Sequence, residues 1–164
     1  MKKNRLTAIC ISLIAMVIIS SCATTNNSSV KNMVARMEVK EPIKGVCDNA
    51  NVIAILPFPG NGQVKAKAPK TDEEITLQLN SQVSFLKDKS DYEDKGMVNL
   101  IINCKGELVR CTISNKTKSP ELDSQIVAVF AEMKKWTAGK INNINVDTVV
   151  LYSFTIKNGK IIVS

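Results

Sequence analysis

A chain of 164 residues, 45% apolar and 23% charged, has the composition of a globular protein rather than a disordered one. It contains no histidine, which excludes Ser-His-Asp and Cys-His catalysis, histidine-ligated zinc and imidazole proton relays together. The formal charge of +7 includes Lys2, Lys3 and Arg5; without these three the remainder carries +4, its cations scattered among 15 acids. No run of five like charges and no basic stripe interleaved with aromatics occurs, so nucleic acid is not an expected partner.

The first 21 residues read as a removable export signal. Met1 to Arg5 is a short cationic start, and Leu6 to Ile19 is mostly apolar. At ~15 residues this run is too short to span a bilayer, which needs about 20. It ends in Ile19-Ser20-Ser21-Cys22, a branched apolar residue and two small ones before a cysteine, which looks like a bacterial lipobox. The expectation is that Cys22 becomes the mature N-terminus and carries several acyl chains, palmitate among them, enough for stable anchoring. No Asp follows Cys22, and no acidic cluster follows either. The expected seat is therefore the periplasmic face of the outer membrane. Residues 22–45 form a polar tether and linker, and 46–71 a short strand and loop segment. The remainder, 72–164, is the folded domain.

Within 46–71, the apolar run Val52–Leu56 is closed by the turn cluster Pro57 to Gly62. Thr71 caps a helix over about 72–83 whose first turn is acidic and whose apolar face runs through Ile75 and Leu79. Residues 97–113 alternate on both sides of Lys105-Gly106, which predicts a β-hairpin with pairs 102/109, 100/111 and 98/113 on one apolar face. Ser119-Pro120-Glu121 opens a helix over 120–136 with Lys134 and Lys135 at its negative end. Gly139 and Asn142-Asn143 punctuate a loop. A long strand follows over about 146–156, and Asn158-Gly159 turns it into a short strand at 160–163. The order predicts an α+β fold with an antiparallel sheet.

Residues 72–157 resemble the C-terminal domain of TonB-like energy transducers, the Bacteroidetes branch in particular. The resemblance rests on Glu73-Glu74-Ile75-Thr76-Leu77 after Phe58-Pro59-Gly60, and on Gly96-Met97-Val98-Asn99-Leu100 leading through Lys105-Gly106-Glu107-Leu108. It continues in Leu122-Asp123, Met133-Lys134-Lys135-Trp136-Thr137-Ala138-Gly139-Lys140 and Asn143. The family's Tyr-Pro before the first strand is Phe85-Leu86 here. A lipobox replaces the family's inner-membrane helix, and five prolines cannot supply its periplasm-crossing spacer. The resemblance implies a binding domain without full energy transduction.

It also implies the mode of binding. TonB-like domains take a receptor segment as an added strand, so the expected docking residues are Val146, Thr148, Val150, Tyr152 and Phe154, with Trp136 nearby. A fold-back of Ile161 to Val163 onto that edge would block it. The expected partner is an envelope protein, such as the periplasmic segment of an outer-membrane receptor, and a homodimer is also compatible. The alternative is a structural or assembly lipoprotein that keeps the fold without receptor binding. Trp136 itself reads first as a core plug against the sheet.

With Cys10 discarded and Cys22 lipidated, Cys47, Cys104 and Cys111 remain. On the predicted hairpin Cys104 and Cys111 lie several rows apart, beyond bridging distance. A disulfide, if formed, joins Cys47 to Cys104 or to Cys111; three free thiols are the other reading. No CxxC, phosphate loop or metal motif occurs, so no metal, no cofactor and no enzymatic activity are expected. Glu121 and Asp123 read as helix-start acids.

Overall fold

The computed structural model describes residues 35–55, 60 and 62–164. The export signal, Cys22, most of the tether and Phe58-Pro59 lie outside the described residues. Nine strands and two helices are seen in this part: β1 (Ala35–Arg36), β2 (Ile53–Ala54), β3 (Gln63–Val64), α1 (Asp72–Gln82), β4 (Asp94–Ile102), β5 (Leu108–Asn115), α2 (Pro120–Ala131), β6 (Gly139–Ile141), β7 (Ile144–Val146), β8 (Thr148–Lys157) and β9 (Lys160–Val163). The fold is α+β. The main sheet runs β1-β2-β8-β4-β5 with β9 also beside β8, and β3-β6-β7 form a second, small sheet. All pairings are antiparallel except β2 with β8. Among the described residues no helix is long and apolar enough to cross a membrane.

Both helices start where local chemistry predicts. The Thr71 hydroxyl accepts from the Glu74 N–H at 3.3 Å and the Glu74 carboxylate accepts from the Thr71 N–H at 2.8 Å, a reciprocal capping box. Ser119 accepts from the Leu122 N–H, and Pro120 occupies the first helical position, where no donor is needed. The end of α2 differs from the expected 136. Thr137 exchanges backbone hydrogen bonds of 2.9 and 3.0 Å with Lys67, and Lys135 takes a φ of +65°. That cross-chain bridge cannot form from within a helix, so α2 stops at Ala131 and Lys134 and Lys135 lie beyond it.

The β4–β5 hairpin keeps the expected pairs Leu100↔Cys111 and Val98↔Ile113, but Ile102 faces Leu108 rather than Val109. The connection is longer than Lys105-Gly106. The Asn103 side-chain oxygen accepts from the N–H groups of Lys105 and Glu107, both at 2.9 Å, closing a five-residue turn. Gly106, at φ +79°, is required there because a side chain would strike the Trp136 carbonyl. The loop expected at 139–143 is a second hairpin: Asn142 and Asn143 both take left-handed φ values, +50° and +65°, and link β6 to β7. Asn158-Gly159 turns β8 into β9 as predicted.

The two helices cover one face of the main sheet. Ile75 and Leu79 of α1 and Leu122, Ile126 and Phe130 of α2 pack on Val98, Leu100, Ile102, Phe154, Ile156 and Ile161, all essentially inaccessible. The opposite face is covered by residues the sequence assigned to a tether. Residues 35–55 belong to the fold: Ile43 and Val52 bury against Ile101, with half-buried Met37, Val39, Val46, Val109 and Val149 around them. The 22–45 linker expectation is corrected on this point, because the alternation of β4 and β8 leaves an apolar row on this second face that needs cover.

Candidate functional site

The edges of the main sheet decide which backbone groups are free to bind. The strand expected over 146–156 as an edge is interior. β8 pairs with β4 along Thr148–Ile156 on one side. On the other it pairs with β2 at Thr148 and Val149 and with β9 from Phe154 to Lys157. The C-terminal fold-back onto β8 therefore occurs as anticipated. β9 is itself closed: the Asn80 side chain accepts from the Ile161 N–H at 2.9 Å and donates to its carbonyl at 2.7 Å, mimicking a neighbouring strand. Thr76 accepts from the Val163 N–H at 3.1 Å. Polar residues on a helix surface normally face water, so nothing in the sequence announced this use of Thr76 and Asn80.

Among the described residues the remaining long edge is β5, which pairs there only with β4. Its helix-side residues Leu108, Cys111 and Ile113 are half-buried, whereas their β4 neighbours are fully covered. An eight-residue strand with one free side and a partly covered apolar row is the geometry that strand addition uses.

The expected docking side chains are mostly committed inward. Thr148, Phe154 and Trp136 are buried and face the core or its margin, not solvent. The Trp136 indole N–H donates to the Met133 carbonyl at 3.1 Å, and its ring meets Tyr152 edge-on. Val150 and Tyr152 are half-buried against the same core. As surface contacts these residues are corrected: they line the helix side of β8, and Trp136 is a core residue. Val146 belongs to β7. It lines a cavity of about 480 Å³ with Ile53, Ile141 and Ile144.

Cys47 and Cys104 form a disulfide with Cα atoms 6.1 Å apart, one of the two pairings expected. Beside it lies a group that the sequence did not single out. Asp147, only 2% exposed, accepts from three backbone N–H groups: Cys47 (2.9 and 3.0 Å to its two oxygens), Asp48 (2.7 Å) and Cys104 (2.9 Å). Asn103 donates to the Gly45 carbonyl at 2.8 Å, and Asn145 donates to the Cys104 carbonyl. The loop at 45–48, the β4–β5 turn and the start of β8 are thus joined by one carboxylate and one covalent bond. The donor atoms of Cys47, Cys104 and Asp147 lie within 4.8 Å of one another. The sulfurs are bonded to each other and the carboxylate is filled with N–H groups, so this is a structural junction rather than a ligand set.

Cys111 is the free thiol among the described residues, and burial pushes it up to about 11. Its sulfur lies 3.6 Å from the Val127 carbonyl. A nucleophile needs the opposite shift. Alkylation of Cys111 in the native protein at pH 8 is expected to be slow and to accelerate only as pH approaches about 11. Fast labelling with a midpoint at the ordinary thiol value would overturn this placement.

Asp123 serves the helix start as expected, accepting from the Thr117 N–H and hydroxyl at 3.0 and 2.8 Å. No protein-family model, curated protein or solved structure matches this chain.

Proposed function

We propose that this is a non-enzymatic, lipid-anchored protein of the bacterial envelope, held by Cys22 at the periplasmic face of the outer membrane. Its TonB-C-like domain would dock an extended segment of an envelope partner, such as the periplasmic end of an outer-membrane receptor, by strand addition. The observation that carries the docking mode is the open β5 edge, beside a β8 whose outer side is paired at 148–149 and 154–157 and a β9 capped by Asn80 and Thr76. The non-enzymatic reading rests on the absence of histidine from the sequence and on a thiol at Cys111 shifted away from reactivity.

The test is a titration of the isotope-labelled mature protein with peptides from the periplasmic N-termini of the organism's outer-membrane receptors. Shifts concentrated on residues 108–115 are expected. Shifts confined to 146–156 would move the site to β8 and reject β5. Flat spectra across the peptide set would favour the alternative, a structural or assembly lipoprotein. The internal covering of β8 is the observation that speaks for that second reading.

A further inference from the structure

The two faces of the main sheet are covered very unequally. Among the described residues the helix side holds eighteen buried apolar residues, whereas the cover formed by residues 35–55 buries three together, Ile43, Val52 and, on the sheet, Ile101. Its pairing with β8 is two residues long, Ile53↔Thr148 and Ala54↔Val149. Between residues 37–43 and the sheet lies a cleft of about 630 Å³ bordered by Asn99 and Arg110. The side-chain oxygen of Asn99 is buried there with no hydrogen-bond partner in the structure. The cover is therefore loosely seated over much of its length. Its firm attachment is at residues 45–48, where Cys47 is joined to Cys104, the Asp147 carboxylate binds the Cys47 and Asp48 N–H groups, and Asn103 binds the Gly45 carbonyl; the Ile53 N–H also donates to the Asp147 carbonyl. Cys47 is exposed and Cys104 half-buried, and both border the open cleft that Ile53 and Val146 line.

We propose that the Cys47–Cys104 disulfide is a site of thiol–disulfide exchange with a dithiol reductant, and that its reduction releases residues 35–55 as a cover from the β8 side of the sheet. The chemistry is a two-electron exchange. A thiolate of the dithiol attacks the Cys47 sulfur; the S–S bond breaks and the Cys104 sulfur leaves as a thiolate that takes up a proton. The second thiol of the reductant then attacks the mixed disulfide on its own sulfur and displaces Cys47 as a thiol. The reductant departs as a disulfide, and the protein holds two thiols.

Without the covalent tie, the Asp147 and Asn103 hydrogen bonds, a small apolar cluster and a two-residue pairing must hold the whole cover, and the least stable unit of a fold opens first. Its release would uncover Ile101, Val109 and Val149. It would also free the outer side of β8 at Thr148 and Val149. Among the described residues, no strand pairs with that side of β8 at Val150, Leu151 or Tyr152. Reduction would thus create a continuous free edge from Thr148 to Tyr152. In the oxidised protein β5 is the open edge, and in the reduced protein β8 joins it. The cover is a property of the domain and does not depend on strand addition as the docking mode.

Hydrogen exchange read by mass spectrometry on the mature protein tests this in three states: oxidised, treated with dithiothreitol, and as the Cys47→Ser/Cys104→Ser double variant. Alkylation of the treated sample verifies that both thiols are free. Exchange is expected to quicken by about tenfold or more in segments covering 35–55 and 148–149. Segments 94–102 and 120–131 should keep their protection. Unchanged exchange across 35–55 in the reduced protein and in the variant would overturn the proposal. So would a loss of protection over the whole domain, since the bond would then hold the fold rather than a cover. A disulfide that dithiothreitol cannot reach without denaturant would reject the exchange site as well.

Discussion

Trp136→Ala is expected to destabilise the domain by about 3–5 kcal/mol, the range for removing a buried large aromatic. The indole is 5% exposed and meets Tyr152 at a centroid distance of 6.3 Å and an angle of 69°. Tyr152 in turn packs on Phe130 at 5.2 Å. Truncation would leave a void beside Tyr152, at one end of this aromatic group, and remove the donor that satisfies the Met133 carbonyl. The void carries most of the cost, because Trp136 sits where α2 has ended, and the Lys67–Thr137 bridge limits how far the backbone can collapse. Trp136→Phe, which keeps much of the volume, should cost less than half as much. Urea unfolding followed by circular dichroism reads both, since the only tryptophan is the residue removed. With a slope of about 2 kcal/mol/M, the alanine midpoint should fall by about 1.5–2.5 M. An alanine variant with an unshifted midpoint would return Trp136 to the surface and restore it as a partner contact.

Asp147→Ala is expected to cost a comparable amount, about 3–5 kcal/mol, by a different mechanism. The buried carboxylate satisfies three backbone donors at a part-buried junction, and alanine would leave the N–H groups of Cys47, Asp48 and Cys104 without an acceptor there. Each buried unsatisfied donor costs about 1–3 kcal/mol, and the three are close enough that their costs do not add in full. Asp147→Asn keeps the volume but turns one acceptor into a donor facing N–H groups, so it should rescue only part of the loss. The neighbouring disulfide, between residues 57 positions apart, ties the same junction. Because both act on the same junction, combining Asp147→Ala with loss of the disulfide should fall short of the sum. Equal stability of Asp147→Ala and wild type would mean that water serves these donors as well as the carboxylate does.

These two expectations differ in how visible they were in the sequence. Trp136 could be assigned to the core from its place at the end of an apolar helical face, although the helix itself proved shorter. Asp147 could not, because an aspartate between two β-rich stretches has the same local signature whether it faces water or three amides. Its partners at Cys47 and Asp48 lie 100 and 99 positions away.

What the sequence determined by itself is the set of features whose physics is local. The Thr71/Glu74 capping box, Ser119-Pro120, the Asn158-Gly159 turn and the alternation through Val98, Leu100, Cys111 and Ile113 each involve groups a few residues or one hairpin apart. They sufficed for an α+β fold and for most of its core. Asn142-Asn143 carried the same local signal and turned out to be a hairpin. The tertiary structure alone decided the end of α2, the choice of Cys104 over Cys111, and the incorporation of residues 35–55. It also decided which strand keeps an open edge. Those outcomes depend on long-range pairings that compete for the same backbone groups. A strand such as β8 has the same alternating pattern at an edge as in the interior, and only the chain that returns to pair with it settles which it is.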